Sequence, residues 1–131
     1  MVLKSALRDA FTICPTTSRK TLSPGAKVKP FLTCISSLAG LPLVADVRSV
    51  GLVGCVECQI DTSLPQATEA DKRLGAKIDA HCIELGLIVR PIGNMCVMSP
   101  PLIITREQID DMVEMLREGI LRTAAEIATG S

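Results

Sequence analysis

From residue 30 onward, apolar and polar positions follow regular periods. Residues 31–39, "FLTCISSLA", suit the end of a helix closed by Gly40. Residues 51–61, "GLVGCVECQID", alternate: Val53, Cys55 and Glu57 against Gly54, Val56 and Cys58, a period of two that predicts a strand. "TSLPQ" reads as a loop. Thr68 is placed to cap a helix over "EADKRLGAKIDAHCIELG", in which Leu74, Ile78, Cys82 and Leu85 form one apolar stripe. Gly86 stands where a left-handed cap belongs. The chain continues as strand "LIVR", a turn at "PIGN" and strand "MCVMS", which Pro100 and Pro101 end. Thr105 and Gln108 form a capping box for a last helix with Ile109, Met112, Val113, Leu116 and Ile120 on one face. The pattern is strand–helix–strand–strand–helix after an initial helix. It predicts an α+β fold, with a short, mainly antiparallel sheet and helices packed on one face.

Residues 12–30, "TICPTTSRKTLSPGAKVKP", have no sustained period and are rich in Thr, Ser, Pro and Lys. They read as a flexible leader, with a short helix over residues 2–13, and the domain is placed at 31–131. A basic, Ser/Thr-bearing N-terminus also resembles an organelle transit peptide; the preferred reading is an extension of a cytoplasmic protein.

At 131 residues the chain has room for one domain. With 47% hydrophobic residues it can bury a core, yet it has two Phe and neither Tyr nor Trp. Single-strand nucleic-acid readers need stacking aromatics, which are nearly absent. Net charge is zero, but residues 1–30 hold six cations against Asp9, leaving the remainder acidic. An acidic globular part gives no electrostatic case for nucleic acid, and no apolar run is long enough for a membrane span. Six unevenly spaced Cys fit reduced thiols better than a disulfide scaffold.

Candidate chemistry is sparse. Cys55 and Cys58 form a C-x-x-C, but on a strand residues three apart face opposite ways, so no metal site is assigned. His81 reads as a packing histidine, with no Ser or Asp placed for a triad. Asp110 and Asp111 read as first-turn acids complementing the helix dipole. Arg90 differs. A guanidinium stays ionised, and its planar fork matches a carboxylate. At the end of a buried strand, with Pro91–Gly93 directing its exit, it either presents a cation to a cleft or pairs with a local acid such as Glu57.

The stretch from about Leu38 to Ala125 resembles the C-terminal part of class III aminotransferases, the fold-type I pyridoxal-phosphate enzymes that include ω-amino acid:pyruvate transaminases. "LPLVADVRSVGLVGCVEC" is similar to the family segment entering the small domain, with Ser49 where the family usually has Gly. "GLIVRPIGNMCVMSPPLIITREQIDDMVEMLREGI" is similar to its closing segment. The resemblance implies that Arg90, in "LIVRPIG", is the mobile arginine that binds the carboxylate of an amino acid or keto acid. It also implies what is missing. The family's Schiff-base lysine and pyridoxal 5'-phosphate (PLP) site lie in a large upstream domain, and Lys72 and Lys77 sit on a solvent-facing helix. The expectation is a truncated aminotransferase that retains no cofactor, is inactive alone, and self-associates or awaits a large domain. The alternative is a stand-alone module binding a small carboxylate, or self-associating through an open sheet edge.

Overall fold

The computed structural model describes residues 24–130. Helix α1 (Pro24–Ser36) runs through Pro30 and ends in a 3₁₀ turn over Ser37–Gly40. Hairpin β1 (Val44–Val50)–β2 (Val53–Cys58) follows, then a long loop, a 3₁₀ turn over Asp71–Arg73 and helix α2 (Leu74–Leu85). A second hairpin, β3 (Arg90–Ile92)–β4 (Met95–Met98), precedes the 24-residue helix α3 (Arg106–Thr129). The four strands form one antiparallel sheet in the order β1-β2-β4-β3. The α+β architecture is thus as the sequence predicts.

The apolar stripes become the core. Ile78 and Cys82 of α2 are fully buried, as are Ile109, Leu116 and Ile120 of α3 and Phe31 and Ile35 of α1. Each large side chain so buried contributes about 1.5–3 kcal/mol before entropy is counted. α1 and α2 lie against the sheet. A Cβ on Gly54 of β2 would meet Ile35 and Phe31, so this glycine allows α1 its close approach. α3 packs on both other helices and is tied to them by polar contacts. The Cys34 thiol donates to Asp110 Oδ1 (2.9 Å), and His81 Nε2 meets Glu126 Oε1 (2.9 Å). Two of the predicted caps are present. Thr105 and Gln108 exchange both capping-box bonds, and Gly86 closes α2 at φ 96°. Among the described residues no helix is long and apolar enough to cross a membrane.

Four expectations are corrected. The first helix begins at Pro24, inside the segment read as leader; the rest of that segment, with its expected short helix over 2–13, lies outside the described residues. "VADVRSV" is a strand, β1, that its spacing conceals. A bulge between Val44 and Asp46 puts Val44 opposite Cys58 and Val47 opposite Val56, so both valines share the helix-facing side although they lie three residues apart. Only Arg90 of "LIVR" enters the sheet: Leu87 and Val89 are buried but form no ladder, and β3 instead runs on through Pro91. Finally, α3 starts at Arg106, so Asp110 and Asp111 lie in its second turn, and Asp110 serves to accept from Cys34.

Candidate functional site

The sheet has two unlike faces. Gly54, Val56, Cys58, Cys96 and Met98 are buried against the helices. Val53, Cys55, Glu57, Met95 and Val97 point the other way and are half-buried or exposed. Register places Arg90 on that open face: it is directly opposite Val97, which is opposite Cys55, which is opposite Arg48. Side chains of directly paired residues share a face. Arg48, Cys55, Val97 and Arg90 therefore form one row across all four strands, with an arginine at each end.

The backbone beneath Arg90 is firmly held. β3 and β4 join through Gly93 and Asn94, with Gly93 at φ 60°, a conformation that glycine adopts without steric cost. The turn is clamped to α2 by Gly75 N–H donating to the Gly93 carbonyl (3.0 Å). It is joined to β2 by two bonds: Cys58 N–H to the Asn94 carbonyl, and the Asn94 side-chain amide to the Cys58 carbonyl, each 2.9 Å. Pro91, which lacks a donor, sits where an edge strand tolerates it. The Arg90 side chain is exposed and, among the described residues, has no ion pair. Glu57, the acid proposed from the sequence as its local partner, is held by Arg48 Nη2 at 3.0 Å, while Arg48 Nη1 holds Asp46 at 3.1 Å.

The other candidates separate. Cys55 lies on the open face and Cys58 is fully buried on the helix side, so their sulfurs cannot converge on one ligand. Burial pushes the Cys58 thiol up to about 12, which keeps it protonated and unreactive. His81 bridges α2 and α3 through Glu126, a structural position. Lys72 pairs with Glu69, and Lys72 and Lys77 line an open groove beside Arg73, Leu74 and Ile127. Both lysines are exposed. A Schiff-base lysine needs a shielded position facing a held cofactor, which neither Lys72 nor Lys77 has.

Two polar groups escaped the sequence reading. One is the Arg48–Glu57 pair, hidden with strand β1. The other is Asp71, 2% exposed, whose carboxylate accepts from Ile60 N–H (2.7 Å), Thr68 N–H (2.6 Å) and the Thr68 hydroxyl (2.7 Å). It pins the loop between β2 and α2. Burial alone would raise its pKa; the three hydrogen bonds outweigh that and hold it below the usual carboxylate value. Thr68, expected as a cap, does not cap the helix: the 3₁₀ turn begins at Asp71 and α2 only at Leu74, neither with a side-chain cap bond, and the Thr68 hydroxyl donates to Asp71. The signal was the spacing Thr68-x-x-Asp71, which matches the acid half of a capping box.

Comparison with known proteins gives a consistent picture. The chain is 36% identical over 90 residues to the putrescine–pyruvate aminotransferase of Pseudomonas aeruginosa, covering 69% of this chain and 20% of that protein. Among solved structures, a transaminase with L-alanine matches at TM-score 0.74 and 33% identity, over 79% of this chain and 24% of the other. A PMP-bound aminotransferase from Vibrio fluvialis matches at TM-score 0.73 and 26% identity, over 79% and 23%. The chain spans about a fifth of the length of the curated relatives it matches. No family model matches it.

Proposed function

We propose that this chain, which is similar to class III aminotransferases over part of their length and has their small-domain fold, is their C-terminal domain and the carboxylate-binding part of a transamination site. Arg90 receives the carboxylate of an amino acid or of a keto acid such as pyruvate. The family is PLP-dependent; when bound, that cofactor supplies the electron sink for amino-group transfer. Lys72 and Lys77 are exposed, and on this reading the lysine and the cofactor come from a large domain and the 131-residue chain is inactive alone. The observation carrying this reading is the Arg90 guanidinium, without an ion pair among the described residues, on the rim of a sheet face that no described helix covers. An arginine there contributes positioning and selectivity, not bond-making groups.

The test has two arms. Incubating the purified 131-residue chain with PLP, an amino donor and pyruvate gives no alanine above a blank; measurable turnover sinks the claim of inactivity. Titrating ¹⁵N-labelled chain with pyruvate moves the Arg90 Nε–H resonance, and Arg90→Ala abolishes pyruvate binding. An unmoved resonance sinks the carboxylate role.

A second reading is a self-associating module. It rests on the apolar residues exposed on or beside the open face: Val50 is 84% exposed, Val53 49% and Ile92 46%. Strand β1 adds a seven-residue edge, and unpaired edges invite pairing with another copy. β3 is a poorer template, being three residues long with a central proline. A monodisperse dimer on size exclusion supports this reading, and a monomer at high concentration ends it.

A further inference from the structure

The open face carries two arginines and one partly shielded glutamate, and their register determines which arginine holds the acid. Glu57 is opposite Met95, which is opposite Ile92. Arg48 is one strand from Glu57 and Arg90 is two strands away, each offset by two residues. Strand spacing and rise put the Arg90 and Glu57 Cα positions about 12 Å apart on one face. An extended arginine and glutamate leaning toward each other bridge that span. The intervening Met95 and Val97 are uncharged and half-buried, so no charge on β4 separates them.

We propose that Arg48 is a positioning residue: by holding Glu57 on its own side of the sheet, it keeps the Arg90 guanidinium free for an incoming carboxylate. Three observations converge on this. Arg48 binds Glu57 at 3.0 Å and Asp46 at 3.1 Å, so both acids of the face are taken by one cation. The Arg48 guanidinium is braced over the sheet by a 3.7 Å contact from Nη2 to Met95 Sδ. Arg90 has no ion pair among the described residues. Removing Arg48 would leave Glu57 with Arg90 as the nearer cation across the face. The glutamate would then compete, at high effective concentration, with any small acid from solution. Asp46 lies a further strand away and is the weaker competitor. The inference rests on the proposed role of Arg90 for its functional meaning, but the side-chain rearrangement it predicts is independent of that role.

The experiment compares ¹⁵N-labelled wild type, Arg48→Ala, Glu57→Gln and the double variant at low ionic strength. Arg48→Met, which keeps the aliphatic stem over the sheet, replaces Arg48→Ala if that variant fails to fold. In Arg48→Ala the Arg90 Nε–H resonance moves before any ligand is added, and pyruvate binds roughly two- to fivefold more weakly, the range of an exposed ion pair. Adding Glu57→Gln restores both. An Arg90 resonance that stays put in Arg48→Ala, or a shift that persists in the double variant, overturns the proposal whether or not pyruvate binds. If the resonance moves and is rescued while pyruvate binds no variant, the positioning role stands and the carboxylate role of Arg90 falls.

Discussion

Arg90 and Val97 face each other directly across β3 and β4, and the next pair, Pro91 and Cys96, is turned toward the helices. The alternation fixes the direction of the guanidinium: it leaves the sheet on the side that α1 and α2 do not cover. Because the side chain is exposed and makes no ion pair among the described residues, Arg90→Ala changes unfolding free energy by less than about 0.5 kcal/mol. Arg90→Lys also preserves stability, but loses the planar fork. Pyruvate affinity measured by NMR titration is expected to drop several-fold in Arg90→Lys and to vanish in Arg90→Ala. Equal affinity for Lys and Arg would show that charge alone, without bidentate geometry, does the binding.

The clamp beneath that hairpin is tested at Gly75. A Cβ there would lie 2.6 Å from the Gly93 carbonyl oxygen and 2.9 Å from that of Met95, both backbone atoms. Gly75→Ala must therefore push the β3–β4 turn off α2, at a cost of about 1–3 kcal/mol. Gly40→Ala is the control: its Cβ would meet nothing within 4 Å, and Gly40 has no positive φ. Urea midpoints should fall in the first variant and hold or rise in the second.

Asp71 gives the acid limb of stability a defined origin. Its folded pKa is depressed, despite burial, by bonds from Ile60 and Thr68. Its contribution is thus complete above the unfolded value of about 3.9 and is lost as pH falls through the lower folded value. Asp61, held down by the Ser63 hydroxyl and N–H, adds to the same limb. Asp71→Asn should cost about 2–3 kcal/mol at neutral pH through weakened charge-assisted bonds and flatten the decline below pH about 4. A variant with an unchanged acid limb would place the effect elsewhere.

Buried thiols set the alkaline limb. Burial pushes Cys82, like Cys58, up to about 12, and burial with the Asp110 hydrogen bond pushes Cys34 to about 11. Cys96 is raised in the same way, with burial as the main cause. In the unfolded chain these groups ionise from about pH 8.5. The stability they contribute is whole below that value and is lost as pH rises toward 11–12. At pH 8, iodoacetamide should leave Cys58, Cys82 and Cys96 unmodified in the folded protein, as mass spectrometry of digests would show. Rapid labelling of any of the three would contradict the packing.

Much of the fold is written in the local pattern. Ile78 and Cys82 on α2, and Ile109, Leu116 and Ile120 on α3, are stripes that only a helix presents to one side, and the Thr105–Gln108 box and Gly86 mark ends that local chemistry sets by itself. The likeness of "LIVRPIG" to a known family was enough to single out Arg90. Strand β1 was not legible, because a bulge turns three-residue spacing into a shared face, and a bulge exists only against a partner strand. Helix α1 ran past Pro30 because burial of Phe31 and Ile35 against Gly54 outweighs one missing backbone donor. Which arginine holds Glu57 was likewise decided by strand order: the β1–β2 hairpin sets Arg48 one strand from Glu57, while β4 enters between β2 and β3 and leaves Arg90 two strands away.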